Sequence, residues 1–285
     1  MISLWTTSEW LLRSLNERLN VVGVTASDRS GQGVARVAAL LRAIGSRSDA
    51  ASTTALATDA GLARPTAHRL LSAMASEGLV DRDNKTGNWS LGPELYLLGA
   101  TAAAAYDIRD DAQDVLDRLS GESGESAFLS ARRGDETVCI AAQEGSFPVR
   151  SHVLYEGIRF PLGVASAGLA ILSHLPDRDV DQYLARADLH AKWGDVHSEP
   201  ALRARIDKTR LDGYSTNPAL LVEASWGMGA AVFDADGRPA WALSLTGVEA
   251  RFQPDRRHFL GRLLLEQAHE LTRRLGRRET APRFP

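Results

Sequence analysis

The chain has 285 residues, 44% of them hydrophobic and 24% charged, which is enough material for two domains with cores of their own. A formal net charge of -3 excludes a nonspecific polycation, and the single cysteine, Cys139, excludes both an internal disulfide framework and a multi-cysteine zinc module. No apolar run approaches the ~18 residues of a membrane span.

The opening stretch "MISLWTTSEWLLRSLNERLNVVG" lacks the basic start and compact apolar centre of a secretory signal. It reads as a short amphipathic helix in an extension, 1–32, that ends in the polar "TASDRSGQG". The expectation is a cytoplasmic protein with no membrane partner.

Residues 33–46 place Val34, Val37, Ala38, Leu41 and Ile44 on one helical face and read as a core helix. "DAASTT" is loop and N-cap, and "ALATDA" is a short helix stopped by Gly61. Next comes "ARPTAHRLLSAMAS", with Ala67, Leu70, Leu71 and Met74 at i, i+3, i+4 and i+7, a single buried stripe. Pro65 suits the first helical position, where its missing N–H costs nothing. "LVDRDNKTGNWSL" reads as a strand, a turn at 84–87 and a second strand. The Ala- and Leu-rich segment 92–106 is an apolar helix that needs another surface to cover it, and a second subunit would supply one.

A further helix is expected over about 107–120. Beyond 125 the pattern turns to strands: two runs around Arg133–Gly134–Asp135, another in "PVRSHVLYEG", and a hairpin turning at Asp236–Gly237. Helices are expected in "VASAGLAILSHL", over about 177–187 and 199–211, and at 255–275. Strand pairs mixed with helices, without regular βαβ alternation, predict an α+β fold.

Opposite the stripe of the 64–77 helix lie Thr66, His68, Arg69, Ser72 and Ala73, with Arg64 at its start. Any helix can carry a solvated polar face, but this one sits in a particular order. Core helix, short helix, glycine turn, second helix and β-hairpin make a winged helix-turn-helix. Residues 33–91 carry seven basic against five acidic side chains, while the chain as a whole is acidic. The face is read as DNA-binding: Thr66, His68 and Arg69 for base or phosphate readout, Arg64, Arg82 and Lys85 for backbone positioning.

Residues 33–99 resemble the N-terminal domain of IclR-family bacterial transcriptional regulators. The resemblance continues through "GIRFPLGVASAGLAILSHLP", "GYSTN", "GAAVFDADGRPAWALSLTG" and the last helix, covering about 33 to 275. It implies a winged helix-turn-helix over 33–91, a linker and dimerisation helix over 92–106, and a GAF/profilin-like α+β effector-binding domain over 107–276. A flexible tail, 277–285, would follow. The resemblance also implies a homodimer or dimer of dimers on a double-stranded operator, and a small organic acid or related metabolite as effector. Repression is the commoner behaviour of such proteins, and no residue here fixes the sign. By position, the effector residues would be Ser166, Ala167, Asn217, Gly227, Ser244 and Thr246. Where the family has a histidine, a lysine, paired acids and a proline, this chain has Gly163, Leu169, Ala219–Leu220 and Ala231. The pocket is therefore expected to be less polar than the family's.

"DLHAKWGDVHSEP" concentrates His190, His197 and acids, but its spacing matches no metal motif, and no metal ligand or other cofactor is assigned. Ser166 lacks the glycine two residues before it that a nucleophile elbow requires, Val164 standing there, so no catalytic residue is assigned. Cys139 in "TVCIAA" reads as a buried core thiol, and Trp89 as a residue packing the wing. Two other classes remain open to the sequence: a sensor or scaffold whose helix-turn-helix binds protein, and an enzyme, for which the acid, base or metal set is missing.

Overall fold

The computed structural model describes residues 29–47, 49–103 and 108–280. The expectations for 1–28, for the end of the linker helix at 104–106 and for 281–285 lie outside the described residues. Two compact units divide the chain, 1–107 and 108–285.

In the first unit, helix α1 (Arg29–Gly45) begins inside the polar end of the 1–32 extension. Only its C-terminal half meets the core, so Leu40, Ala43 and Ile44 are buried while Val34, expected inside, is 72% exposed. Helix α2 (Thr53–Asp59) is capped by Ser52, whose hydroxyl accepts the Ala55 N–H at 3.3 Å. Gly61, at φ 62°, reverses the chain in a conformation that side chains disfavour. Helix α3 (Arg64–Ser76) follows from an N-cap at Ala63, which places Pro65 second in the helix, not first. Ala67, Leu71 and Met74 are buried as the spacing predicts, and Leu70 is half-buried.

Strands β1 (Val80–Arg82) and β2 (Trp89–Leu91) form the antiparallel wing. At its turn the Asp83 carboxylate accepts the Lys85 and Thr86 N–H groups, each at 2.7 Å. Those backbone donors, Thr86 first, hold the carboxyl below its usual range. Gly92 permits a close approach: a Cβ there would lie 2.2 Å from the Gly78 carbonyl oxygen. Helix α4 (Pro93–Ala103) follows and exposes Tyr96, Leu97 and Leu98.

The second unit opens with α5 (Ile108–Ser123) and continues with β3 (Ser126–Arg133), β4 (Glu136–Gln143), β5 (Arg159–Pro161) and α6 (Ser166–Ser173). Helices α7 (Asp177–Arg186), α8 (Leu189–Trp193) and α9 (Glu199–Asp212) lead to β6 (Ser215–Pro218), β7 (Ser225–Phe233), β8 (Pro239–Val248) and α10 (Pro254–Thr280). The strands form one antiparallel sheet in the order β5-β4-β3-β8-β7-β6. Helix α10 runs on to Thr280, through residues expected to fray.

The two faces of the sheet differ because strand residues alternate. Ala127, Leu129, Met228, Ala230, Leu243 and Leu245 form one core with Leu116 and Leu119 of α5 and Leu260 and Leu264 of α10. On the opposite face stand small and polar residues: Gly227 pairs with Thr246, and Gly229 with Ser244. Helix α6 lies directly on them, since a Cβ at Gly229 would come within 3.0 Å of the Ser166 carbonyl. At the sheet's end the buried Glu125 carboxylate takes both Nε and Nη2 of Arg251 at 2.7 Å, with Arg256 alongside.

One strand expectation is corrected as well. The segment read as a strand in "PVRSHVLYEG" forms none, and only its last residue, Gly157, reaches β4. Cys139 donates its N–H to the Ile158 carbonyl, and Gly157 donates to Cys139, ahead of β5. The segment instead crosses the unit with Val153 and Leu154 buried and Val149 exposed. The stretch "DLHAKWGDVHSEP" is ordered into α8 and a 3-10 turn, with Trp193 and His197 buried.

Candidate DNA interface and effector cavity

Burying Ala67, Leu71 and Met74 turns the other side of α3 outward. Arg64, His68 and Arg69 are exposed there and Thr66 is half-buried. Neither rotation nor register of α3 is free, because Trp89 locks the wing behind it. This tryptophan is 1% exposed, and its indole N–H donates to the Thr53 hydroxyl at 2.9 Å. Its backbone also bridges to Ala51, with N···O distances of 3.0 and 2.9 Å. The ring meets His68 edge-on at 6.3 Å between centroids, and the Arg82 guanidinium lies 5.4 Å from its centroid. His68 and Arg82 are thus held by the aromatic ring while keeping exposed surface, whereas Arg64, Arg69 and Lys85 reach into solvent. Another cation of the unit is committed elsewhere: Arg47 binds Asp59 at 2.6 Å.

This surface combines an exposed helix start, guanidinium groups that can fork onto phosphate or guanine, and a basic wing tip beside them. The packing role of Trp89 was legible as packing. The Thr53 hydroxyl that fixes it, 36 residues away, left no signal in the pattern.

In the second unit a narrow cavity of about 20 Å3 opens between the polar sheet face, the start of α6 and the 153–154 crossing. Val153, Leu154, Ala165, Ser166, Asn217, Leu221, Ser225, Trp226, Gly227 and Thr246 line it. Of the residues expected there, Ser166, Asn217, Gly227 and Thr246 meet at this lining. Ser244 sits one step deeper on the same face of β8, paired with Gly229, and Ala167 packs over that glycine; neither reaches the lining. Val153, Leu154, Leu221, Ser225 and Trp226 were not foreseen.

Asn217 is a builder of the wall. Its Nδ2 donates to the Val164 carbonyl at 2.7 Å and its Oδ1 accepts the Leu220 N–H at 3.2 Å. Ser215 similarly donates to the Ser166 carbonyl at 2.7 Å. Together they tie the approach to α6 onto β6. The crossing segment is fastened by the Ser151 and Ser225 hydroxyls, 2.6 Å apart.

A second, wider depression lies between the end of α7 and α9, bordered by Leu184, Ala185, Asp188, His190, His197 and Leu202. Its charged rim is internally paired: Arg186 with Asp135 and His190 with Asp195, each at 2.6 Å. Burial, with the Arg205 charge behind it, pushes His197 below the ordinary imidazole value. Burial alone lowers Arg205 to about 10. Cys139 is buried and its thiol is pushed up to about 12, chiefly by desolvation. Among the described residues no group of three or more His, Cys, Asp or Glu could hold a metal ion.

Known proteins share both units. The domain family described as "Bacterial transcriptional regulator IclR C-terminal" matches residues 100–273, and the "IclR helix-turn-helix domain" matches 33–84. The HTH-type transcriptional regulator KipR of Bacillus subtilis is 29% identical over 217 residues, covering 76% of this chain and 86% of that protein. The transcriptional repressor IclR of Escherichia coli is 27% identical over 248 residues, covering 86% of this chain and 90% of its own. An IclR homologue from Microbacterium hydrocarbonoxydans, solved as a complex with 4-hydroxybenzoate, superposes with a TM-score of 0.68 at 22% identity. That match covers 85% of this chain and 98% of the homologue.

Proposed function

Because the chain belongs to the IclR family of bacterial transcriptional regulators, it is a DNA-binding regulator and not an enzyme, and we propose how its residues divide that work. Helix α3 enters a major groove with Thr66, His68 and Arg69 toward the base edges. Arg64, Arg82 and Lys85 hold the phosphates on either side. The exposed polar face of α3, backed by the Trp89 anchor and flanked by the wing, is the observation that carries this reading. The apolar surface of α4 at Tyr96, Leu97 and Leu98 pairs two chains, so that two such faces meet a pseudo-palindromic operator. The protein works as a repressor in the cytoplasm, as the names of its relatives suggest for the sign of control. Among the described residues, no helix is long and apolar enough to cross a membrane.

The cavity beside α6 is the effector site, a reading supported by the small molecule held by the Microbacterium homologue. A ligand there bears on Asn217, Trp226 and the start of α6. It alters DNA affinity only to the extent that it binds one arrangement of the dimer more tightly than the other. Genomic fragments recovered with the purified protein and sequenced test the proposal. Enrichment of one or a few sites with an inverted repeat is expected. Uniform recovery of the genome would refute it.

A further inference from the structure

The cavity beside α6 encloses about 20 Å3, room for roughly one water. Nothing larger fits until a wall moves, and the walls differ in what holds them. The floor is a ladder, with Asn217 of β6 paired to Gly227 of β7 and Gly227 paired to Thr246 of β8. The side at Ala165 and Ser166 is the start of α6. There the Asn217 amide bonds the Val164 carbonyl, the Ser215 hydroxyl bonds the Ser166 carbonyl, and a Cβ at Gly229 would lie 3.0 Å from the Ser166 backbone. The turn that carries Leu221 is closed by its own backbone, the Ala219 N–H donating to Ser225 and the Ser225 N–H to Val222.

The crossing that supplies Val153 and Leu154 is held differently. Its ends are firm. Before it, the Gly145 N–H donates to the Ser126 hydroxyl at 3.2 Å. Phe147 then packs so closely on Gly124 that a Cβ there would lie 2.6 Å from the ring, and the Arg251 guanidinium covers the ring 4.3 Å from its centroid. After it, Gly157 and Ile158 bond to Cys139 of β4. Between these anchors, 148–156 joins no helix or strand. Arg150 turns back on the segment's own start, onto Glu144 and the Gly145 carbonyl. Glu156 reaches Arg109 of α5 at 3.2 Å, a pair about half exposed on both sides and worth little. Over the cavity itself the Ser151 and Ser225 hydroxyls, 2.6 Å apart, fasten the crossing, together with the burial of Val153 and Leu154. Beneath it the buried Thr246 hydroxyl has no hydrogen-bond partner among the described residues, so water that enters on opening satisfies it and offsets part of the cost.

We propose that 148–156 is a gate over this cavity, moving between the anchors at Phe147 and Gly157 and latched by the Ser151–Ser225 pair. On the reading that the cavity is the effector site, an effector enters by lifting this gate while the sheet and α6 stay in place.

The test needs no effector. In a Cys139→Ala background a thiol is placed in the cavity by Thr246→Cys, or by Ser166→Cys should the first variant not fold. Its reaction with a disulfide reagent is followed in the folded full-length chain. Labelling is expected at a rate that barely changes with sub-denaturing urea, the mark of a local opening that exposes little surface. Adding Ser151→Ala removes the latch and speeds labelling about fivefold. Labelling that rises steeply with urea, as global unfolding requires, would overturn the gate. A rate indifferent to Ser151→Ala would overturn it as well. Either result holds whether or not an effector binds in the cavity, so failure of the gate and failure of the effector reading are seen separately.

Discussion

Replacing Trp89 by Phe removes one indole N–H and one ring from the anchor of the wing, and the consequences can be worked out. The Thr53 hydroxyl, itself 8% exposed, loses its 2.9 Å donor, which costs about 1 kcal/mol. The lost ring leaves a void at a site with 1% exposure, worth roughly another 1–2 kcal/mol. Edge contact with His68 and the Arg82 stack persist in weakened form on the smaller ring. The expected total is about 2–3 kcal/mol, confined to the first unit. Urea unfolding of the full chain, followed by hydrogen exchange of the 29–103 amides, measures it. A double-mutant cycle with Thr53→Val isolates the bond, with an expected coupling of about 1 kcal/mol. Strict additivity of the two substitutions would refute the argument that this hydrogen bond anchors the wing.

Gly229→Ala drives a Cβ to within 3.0 Å of the Ser166 backbone, so α6 must shift; a loss of about 1–3 kcal/mol is expected in denaturant titrations of the second unit. Cys139, buried with its thiol raised to about 12, is expected to stay unreactive toward a disulfide reagent at pH 8 until the protein is unfolded. His197 has a folded-state value held below its unfolded one by burial and by Arg205, so the unfolded chain binds the proton more readily. Stability from this site is therefore complete above about pH 6.5 and falls as the pH drops from there toward the depressed value. The urea midpoint of His197→Gln should fall less than that of the natural protein between pH 7.5 and 5.5.

The DNA-binding unit was legible because its signals are local. The i, i+3, i+4, i+7 stripe of α3, the capping Ser52 and the glycine turn at Gly61 each act over a few residues. Val34 was misplaced because periodicity gives the face of a helix and not where the core ends along it. In the second unit the antiparallel hairpins were readable from their turns. The non-strand at 149–156 was not, since residue type along a segment does not tell whether a strand edge lies within its reach, and here only Gly157 and Ile158 bond to β4. The cavity is half legible for the same reason. Thr246 and Gly227 came by position from the family resemblance, and which of Ser244 and Thr246 faces open space depends on where α6 lands. Trp226, on the alternate parity of β7, could not be assigned to the lining from its spacing.

The central claim is that the exposed face of α3 reads DNA, and fluorescence anisotropy with the operator recovered from the genome tests it most directly. The natural protein and Arg69→Ala are titrated at several salt concentrations against the operator and a scrambled duplex. Tight binding to the operator, a steep fall with salt, and discrimination against the scramble that Arg69→Ala reduces by about tenfold or more are expected. Equal binding of the two duplexes, or full discrimination retained by Arg69→Ala, would contradict it.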